Sequence, residues 1–66
     1  MKDSLAGREI IIEFFPNGIY VKVSAMDVKT LTEVSIQGAA SASESYLKKN
    51  ALKRLEYVLR KKGLIS

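Results

Sequence analysis

The chain has 66 residues, a net charge of +4, and neither cysteine nor histidine. This length corresponds to one small domain over residues 1–66, and a domain of this size buries only about 60% of the surface that its unfolded chain exposes. The composition excludes disulfides, cysteine or histidine metal ligands, and nucleophile–imidazole catalysis. Association with a second copy is the remaining common way to stabilise so small a chain.

Positive charge is concentrated in the C-terminal third. Residues 44–66 carry seven basic and two acidic side chains, whereas residues 1–43 carry four basic and five acidic ones. This asymmetry indicates an anionic partner for the C-terminal segment. The apolar run Ile10–Ile12 is too short to span a membrane, and residues 1–8 lack the apolar stretch of a signal peptide. We therefore expect a cytoplasmic protein without membrane contact.

The first two predicted strands form a hairpin. Residues 8–15 alternate with a period of two and are rich in branched and aromatic side chains, as strands are. Pro16, Asn17 and Gly18 interrupt the alternation and are typical of a hairpin turn. The alternation resumes over residues 19–26, which predicts the second strand, with Ile19 on the same face as Val21.

A second turn and a third strand follow. Asp27 can cap a turn over residues 27–30 through its side chain. Leu31 then stands where a left-handed residue, normally glycine, would follow a type I turn. Residues 32–37 alternate as a third strand, and residues 38–43 are a connection of small residues.

The spacing of apolar residues predicts one amphipathic helix over about residues 43–62. Ser41 and Ser43 are both candidate N-caps, and the segment from Ser41 to Glu44 matches a capping box. Gly63 is predicted to end the helix, and residues 64–66 form a tail that we expect to fray unless a partner holds it. The apolar residues at helical spacing are Leu47, Ala51, Leu55, Val58 and Leu59, with Leu52 beside them.

The predicted fold is α+β: a three-stranded antiparallel meander followed by one C-terminal amphipathic helix. The helix is expected to pack on one face of the sheet, or on a neighbour's sheet through the hinge at residues 38–43, which would give a helix-exchanged dimer. The sheet side of the predicted core consists of Ile10, Ile12, Phe14, Val21, Val23, Val34 and Ile36.

The opposite face of the predicted sheet is not fully polar. Apolar side chains that cluster on the surface of a small protein usually mark a contact site. We therefore predict self-association through this face, a sheet edge or an exchanged helix. As an alternative, the helix tail or the N-terminus folds over the same side chains. The residues concerned are Ile11, Phe15, Tyr20 and Met26.

The basic helix is the second candidate contact surface. Its cations could neutralise phosphates, with Tyr46 and Tyr57 beside them, although a solvated helix face is the favoured explanation. The segment Lys48–Lys53 is similar to the start of a helix in double-stranded-RNA-binding domains, but those domains have a helix before the sheet, and only about seven residues precede the first predicted strand here. The candidate anion-binding residues are Lys48, Lys49, Lys53, Arg54, Arg60, Lys61 and Lys62.

No motif in the sequence selects a chemical reaction. The carboxylates show no spacing that singles out an acid–base pair, and there is no glycine-rich phosphate loop. Ser41, Ser43 and Ser45 are explained as helix caps. We therefore expect no catalytic residue, no cofactor, no metal site and no enzymatic activity.

Several stretches carry a resemblance to a known family: Arg8-Glu9, Val21–Asp27, Thr32–Ile36 and Leu55–Leu59 with Lys61-Lys62. Over these residues the chain resembles a family of short, uncharacterised alphaproteobacterial proteins, a domain of unknown function. It departs from the family pattern at Leu31, where the family has glycine, and at Ala39, where proline is usual. The resemblance implies a small β-β-β-α fold, with a helix-exchanged dimer as one form that it could take, and it implies no catalytic residue, cofactor or substrate.

The leading functional prediction is a small homo-oligomeric interaction or scaffold module, with a second copy as its partner and another protein as a further one. The alternative is weak, largely non-sequence-specific nucleic-acid binding through the basic helix.

Overall fold

A computed structural model describes residues 5–66. The chain forms three strands, β1 (Ile10–Asn17), β2 (Tyr20–Asp27) and β3 (Thr32–Ala39), and one helix, α1 (Glu44–Lys61). The strands make one antiparallel sheet in the order β1-β2-β3. The predicted α+β meander with a C-terminal helix is confirmed.

The turn of the first hairpin lies later in the chain than the sequence predicts. β1 continues through Pro16, and Asn17 pairs with Tyr20, so the turn consists of Gly18 and Ile19. Gly18 has a φ of 65° and Ile19 does not have a positive φ, which is the pattern of a type II′ turn. Proline is tolerated in β1 because this strand lies at the sheet edge. The prediction that Ile19 lies in a strand with Val21 is therefore wrong, and its side chain is exposed.

The core lies between β2 and α1. Its buried side chains are Val21, Val23, Ala25, Leu47, Ala51, Leu55 and Leu59, and the predicted Ile10, Ile12, Phe14, Val34 and Ile36 pack around them half-buried. The helix packs mainly on β3 and β2. A helix about 10 Å across covers roughly two strands that lie about 4.8 Å apart. The helix side of β1 therefore stays partly open.

The N-terminal end of α1 is fixed by one of the two predicted caps. The side chain of Ser43 accepts a hydrogen bond from the backbone N–H of Tyr46 at 3.2 Å. The capping box predicted to start at Ser41 is therefore wrong. The predicted connection over residues 38–43 is also shorter, because Gly38 and Ala39 continue β3. The Leu47 side chain packs directly over Gly38 and fills the space that a Cβ would occupy.

The C-terminal end of α1 closes as predicted at Gly63, which has a φ of 74°. The N–H of Gly63 donates to the carbonyl oxygen of Arg60 at 3.0 Å, and the N–H of Leu64 donates to that of Leu59 at 2.9 Å. These two bonds form a Schellman motif. Ile65 packs against the core, so the tail is held by its own chain and does not depend on a partner, as the sequence predicts it would.

The second turn confirms the capping role of Asp27. Its carboxylate accepts a hydrogen bond from the backbone N–H of Thr30 at 3.1 Å, and its carbonyl accepts one from the N–H of Leu31 at 2.7 Å. Leu31 has a φ of 59°, the left-handed conformation that the sequence indicates for this position. Its side chain is 72% exposed and so gains little from packing.

Replacing Leu31 by glycine is expected to raise the free energy of unfolding by about 0.5–1 kcal/mol. The left-handed backbone destabilises the folded state by roughly 1–2 kcal/mol for a residue with a Cβ, and glycine removes this cost. The greater conformational freedom of glycine in the unfolded chain offsets only part of that gain. Urea unfolding measures the change. Leu31→Ala is the control, because it removes the exposed side chain but keeps the Cβ. Equal stabilities of the two variants would contradict the claim that a Cβ at position 31 strains the left-handed backbone.

Candidate interaction sites

The four residues predicted to mediate self-association all lie on the sheet face that α1 does not cover, called here the open face. Ile11, Phe15 and Tyr20 are 41%, 47% and 52% exposed, and Met26 is half-buried. Ile11 pairs across the strands with Met26, and Phe15 pairs with Lys22. The Nζ atom of Lys22 lies 5.5 Å from the centre of the Phe15 ring, within the range of a cation–π interaction.

A polar row divides the open face into two apolar patches. Glu13, Ser24 and Ser35 lie opposite one another across the three strands. The apolar residues of β1 on either side of this row are four positions apart, about 14 Å along the strand. Ser24 is buried although no helix covers it, since it is small and lies on the central strand. The face is therefore apolar at both ends and polar in the middle, not one continuous cluster.

Within residues 5–66 neither end of the chain folds over the open face. Leu5 and Ile65 instead pack against the core, on the side of the sheet that carries α1. The helix tail therefore does not cover Ile11, Phe15 and Tyr20, and the alternative in which the N-terminus covers them falls partly on residues 1–4, which lie outside the described residues.

The predicted basic surface is divided among several sides of α1. Lys48, Lys49 and Lys53 line a groove between α1 and β1. Arg54 and Lys61 lie over the Tyr57 ring, 5.7 Å and 6.0 Å from its centre. Arg60 lies 3.7 Å from the carboxylate of Glu56 and donates to the carbonyl of Ser66, and Lys62 is the C-cap. The seven cations therefore do not form one continuous surface.

The groove between α1 and β1 has a volume of about 810 Å³ and is open to solvent. Its apolar lining consists of Leu5, two residues of β1 and one residue of α1: Ile10, Ile12 and Leu52. Its polar lining is mostly cationic: Arg8, Ser45, Lys48, Lys49, Lys53 and Glu56. The helix side of β1, which α1 leaves partly open, forms part of this groove. The sequence predicts the lysines but not the groove.

A buried ion pair closes one end of the sheet. Arg8 binds the carboxylate of Asp27 with two hydrogen bonds, from Nε at 3.1 Å and from Nη2 at 3.0 Å. The same carboxylate accepts a hydrogen bond of 2.6 Å from the hydroxyl of Thr30, whose oxygen also lies 2.9 Å from the Thr32 hydroxyl. Asp27 is fully buried. The pair fixes the segment before β1 against the second turn and holds Arg8 at the groove.

The pKa of Asp27 is lowered from 3.8 to about 2. The largest cause is the hydrogen bond from Arg8, followed by the hydrogen bond from the Thr30 hydroxyl, and burial opposes both. The hydrogen bond to Asp27 in turn raises the pKa of Arg8. The carboxylate is therefore charged at neutral pH and paired with the Arg8 guanidinium.

Sequence reasoning missed this pair, although a signal for it exists. The alternation that places Val21, Val23 and Ala25 on the core face also places Asp27 there. A buried carboxylate needs a partner, and Arg8 lies two residues before Ile10 on the same face of the chain as the core.

Among the residues that the structure describes, no three acidic side chains lie close enough together to hold a metal ion. No helix in residues 5–66 is both long and apolar enough to cross a membrane.

Comparison with known proteins identifies one family. The model of a domain of unknown function, DUF6898, matches residues 7–62. No curated protein and no solved structure matches the chain. The match covers all three strands and α1. The chain belongs to the DUF6898 family.

Proposed function

We propose that this protein is a non-enzymatic interaction module that forms homodimers by packing the open faces of two copies together. The observation that carries the proposal is the exposure of Ile11, Phe15 and Tyr20 on a sheet face with no cover from its own described chain. Such surfaces on small domains mark contact sites. The proposal places the protein in the cytoplasm of an alphaproteobacterium, which rests on the family resemblance and on a composition free of cysteine.

The distribution of charge supports the open face as the surface between copies. This face carries charges of both signs: the carboxylates of Glu13 and Glu33 and the cation of Lys22. Each copy can therefore pair its charges with opposite charges of the other copy. Two sheets packed face to face lie about 10 Å apart, with the helices on the outer sides. The basic helices are then separated by more than the Debye length of about 8 Å at physiological salt.

The size of the open face indicates a weak dimer. Three strands of eight residues span about 27 Å by about 14 Å, which gives a flat area of roughly 400 Å² per copy. Side chains that project from the sheet add to this area. Stable interfaces bury about 800 Å² per partner, and smaller ones belong to transient complexes. We therefore expect a dimer that dissociates when the protein is diluted.

Replacing Phe15 by lysine is expected to remove the dimer, because the change places a second cation next to Lys22 inside the interface. Sedimentation velocity across a concentration series measures the association. Tyr57→Lys is the matched control, since it exchanges an aromatic residue of similar exposure, 53%, for the same cation on the outer side of α1. The control should associate as the wild type does.

Two results would contradict the proposal. A wild-type chain that stays monomeric up to millimolar concentration would exclude functional self-association. A Phe15→Lys variant that associates as strongly as wild type would place the interface elsewhere. Circular dichroism on both variants confirms that each remains folded.

Helix exchange stays a prediction. In the structure α1 packs on the sheet of its own chain, and only residues 40–43 connect β3 to α1. This short connection holds Leu47 over Gly38. An exchanged dimer would straighten the connection while preserving the same contacts between two chains.

Nucleic-acid binding is the second candidate function. Its support is that Lys48, Lys49 and Lys53 lie together along one side of α1. We expect binding to duplex RNA to weaken steeply with salt if these residues neutralise phosphates. A titration between about 50 and 200 mM salt, repeated with Lys49→Glu, measures this dependence. Salt-independent binding, or binding unchanged in the variant, would reject this function.

A further inference from the structure

The groove between α1 and β1 is lined along one side by a stripe of α1. On α1 its lining consists of Ser45, Lys48, Lys49, Leu52, Lys53 and Glu56, a stripe with the three- and four-residue spacing by which one helix packs on another. The stripe extends about 17 Å, or three helical turns. The remaining strand of the sheet, β1, offers Ile10 and Ile12 as the floor. A second helix about 10 Å across would complete the layer that α1 begins.

The charge around the groove decides which helix fits. Lys48, Lys49 and Lys53 line it together with the apolar side chain of Leu52. The α1 helix of a second copy would bring the same lysines against these, and like charges brought together oppose docking. An acidic helix with one apolar face would instead bury its apolar side chains on the floor and place its carboxylates beside the lysines.

We propose that the groove between α1 and β1 binds an amphipathic, acidic helix of a partner protein. The apolar residues of that helix contact Ile10, Ile12 and Leu52, and its flanking carboxylates pair with Lys48, Lys49 and Lys53. Arg8 lines the groove as well, held in place by Asp27. The site lies on the opposite side of the sheet from the open face, so the proposal goes beyond the proposed homodimer and does not depend on it.

Three rhodamine-labelled helical peptides test this proposal by fluorescence anisotropy. The acidic probe has about four turns, with leucine at positions i, i+3, i+4 and i+7 and glutamate beside them. The basic probe has lysine in place of each glutamate. The charge-only probe keeps the glutamates and has serine in place of each leucine. We expect the acidic probe to bind at least about tenfold more tightly than either of the others.

Charge-reversal variants locate the site. Lys49→Glu is expected to weaken binding of the acidic probe at least about fivefold, because an attraction becomes a repulsion. Lys61→Glu is the matched control: it makes the same charge change on α1, but beside Tyr57 and outside the groove. It should change the affinity by less than about twofold. The same measurements on Phe15→Lys separate this site from the dimer, because that variant should bind the acidic probe as wild type does.

Each other outcome overturns the proposal. Equal weakening by Lys49→Glu and Lys61→Glu would mean that net charge alone attracts the probe. Equal binding of the acidic and charge-only probes would mean that the groove recognises anions and not an apolar helix face. Binding of duplex RNA that depends on Lys49, with none of the acidic probe, would assign the lysines to nucleic acid.

Discussion

Replacing Asp27 by alanine is expected to lower the free energy of unfolding by about 3 kcal/mol. The change removes both hydrogen bonds from Arg8 and both from Thr30, and it leaves a cavity at a fully buried position. Breaking a buried ion pair by removing one partner usually costs about 3–5 kcal/mol. We expect the lower end, since the Arg8 side chain is 15% exposed and can reach water. Urea unfolding monitored by circular dichroism measures the loss.

Glu9→Ala is the control for this prediction, because Glu9 is an exposed carboxylate next to Arg8 in the chain. It should change the stability by less than about 0.5 kcal/mol. A loss of under about 1 kcal/mol in Asp27→Ala would mean that the ion pair does not hold the N-terminal segment to the second turn. The small total stability of a 66-residue domain makes the predicted loss easy to detect.

The folded protein is also expected to lose about 2 kcal/mol of stability in acid through Asp27 alone. Its pKa is about 2 in the folded state and 3.8 in the absence of partners, so the folded state favours the charged carboxylate. This contribution is fully present above the unfolded pKa. Most of it disappears as the pH falls from about 5 to about 2, where the folded carboxylate takes up its proton.

The measurement is the free energy of unfolding at several pH values between 5 and 2, for wild type and for Asp27→Asn. The asparagine variant has no titrating group at this position, so its stability should fall less steeply over this range by about 2 kcal/mol. Parallel curves for the two proteins would contradict the lowered pKa. The difference between the curves removes the contributions of the remaining carboxylates, which both proteins share.

Much of the fold follows from patterns that are local in the sequence. Alternation with a period of two predicts all three strands, and helical spacing from Leu47 to Leu59 predicts α1 and the face by which it packs. Ser43 and Gly63 mark the helix ends because their backbone and side-chain chemistry suits those positions in any fold. Leu31 is left-handed where the order of turn residues indicates it.

The features that sequence reasoning missed depend on contacts between distant segments. Pro16 predicts the end of β1, but the position of β1 at the sheet edge removes the penalty for a missing N–H. The pairing of Arg8 with Asp27 spans nineteen positions and needs the register of β1 and β2 to be known. The groove arises because α1 lies over β3 and β2, and neither spacing nor composition specifies where a helix crosses a sheet.

The two proposed contact surfaces lie on opposite sides of one small sheet. Open-face contact between copies would leave both grooves exposed, so a dimer could hold two acidic helices at once. Two sites on one dimer would bind a tethered pair of helices more tightly than a single helix. A scaffold role requires no chemistry from the chain beyond these surfaces.

Intermolecular nuclear Overhauser effects test most directly whether the open faces of two copies meet. The sample mixes isotope-labelled and unlabelled protein at a concentration where sedimentation shows association. We expect contacts between copies that involve Ile11, Phe15 and Tyr20 and none that involve Leu47 or Leu55, which are buried within each chain. Intermolecular contacts from Leu47 and Leu55 to the sheet of the other copy, with none from Phe15, would contradict the claim and indicate an exchanged helix.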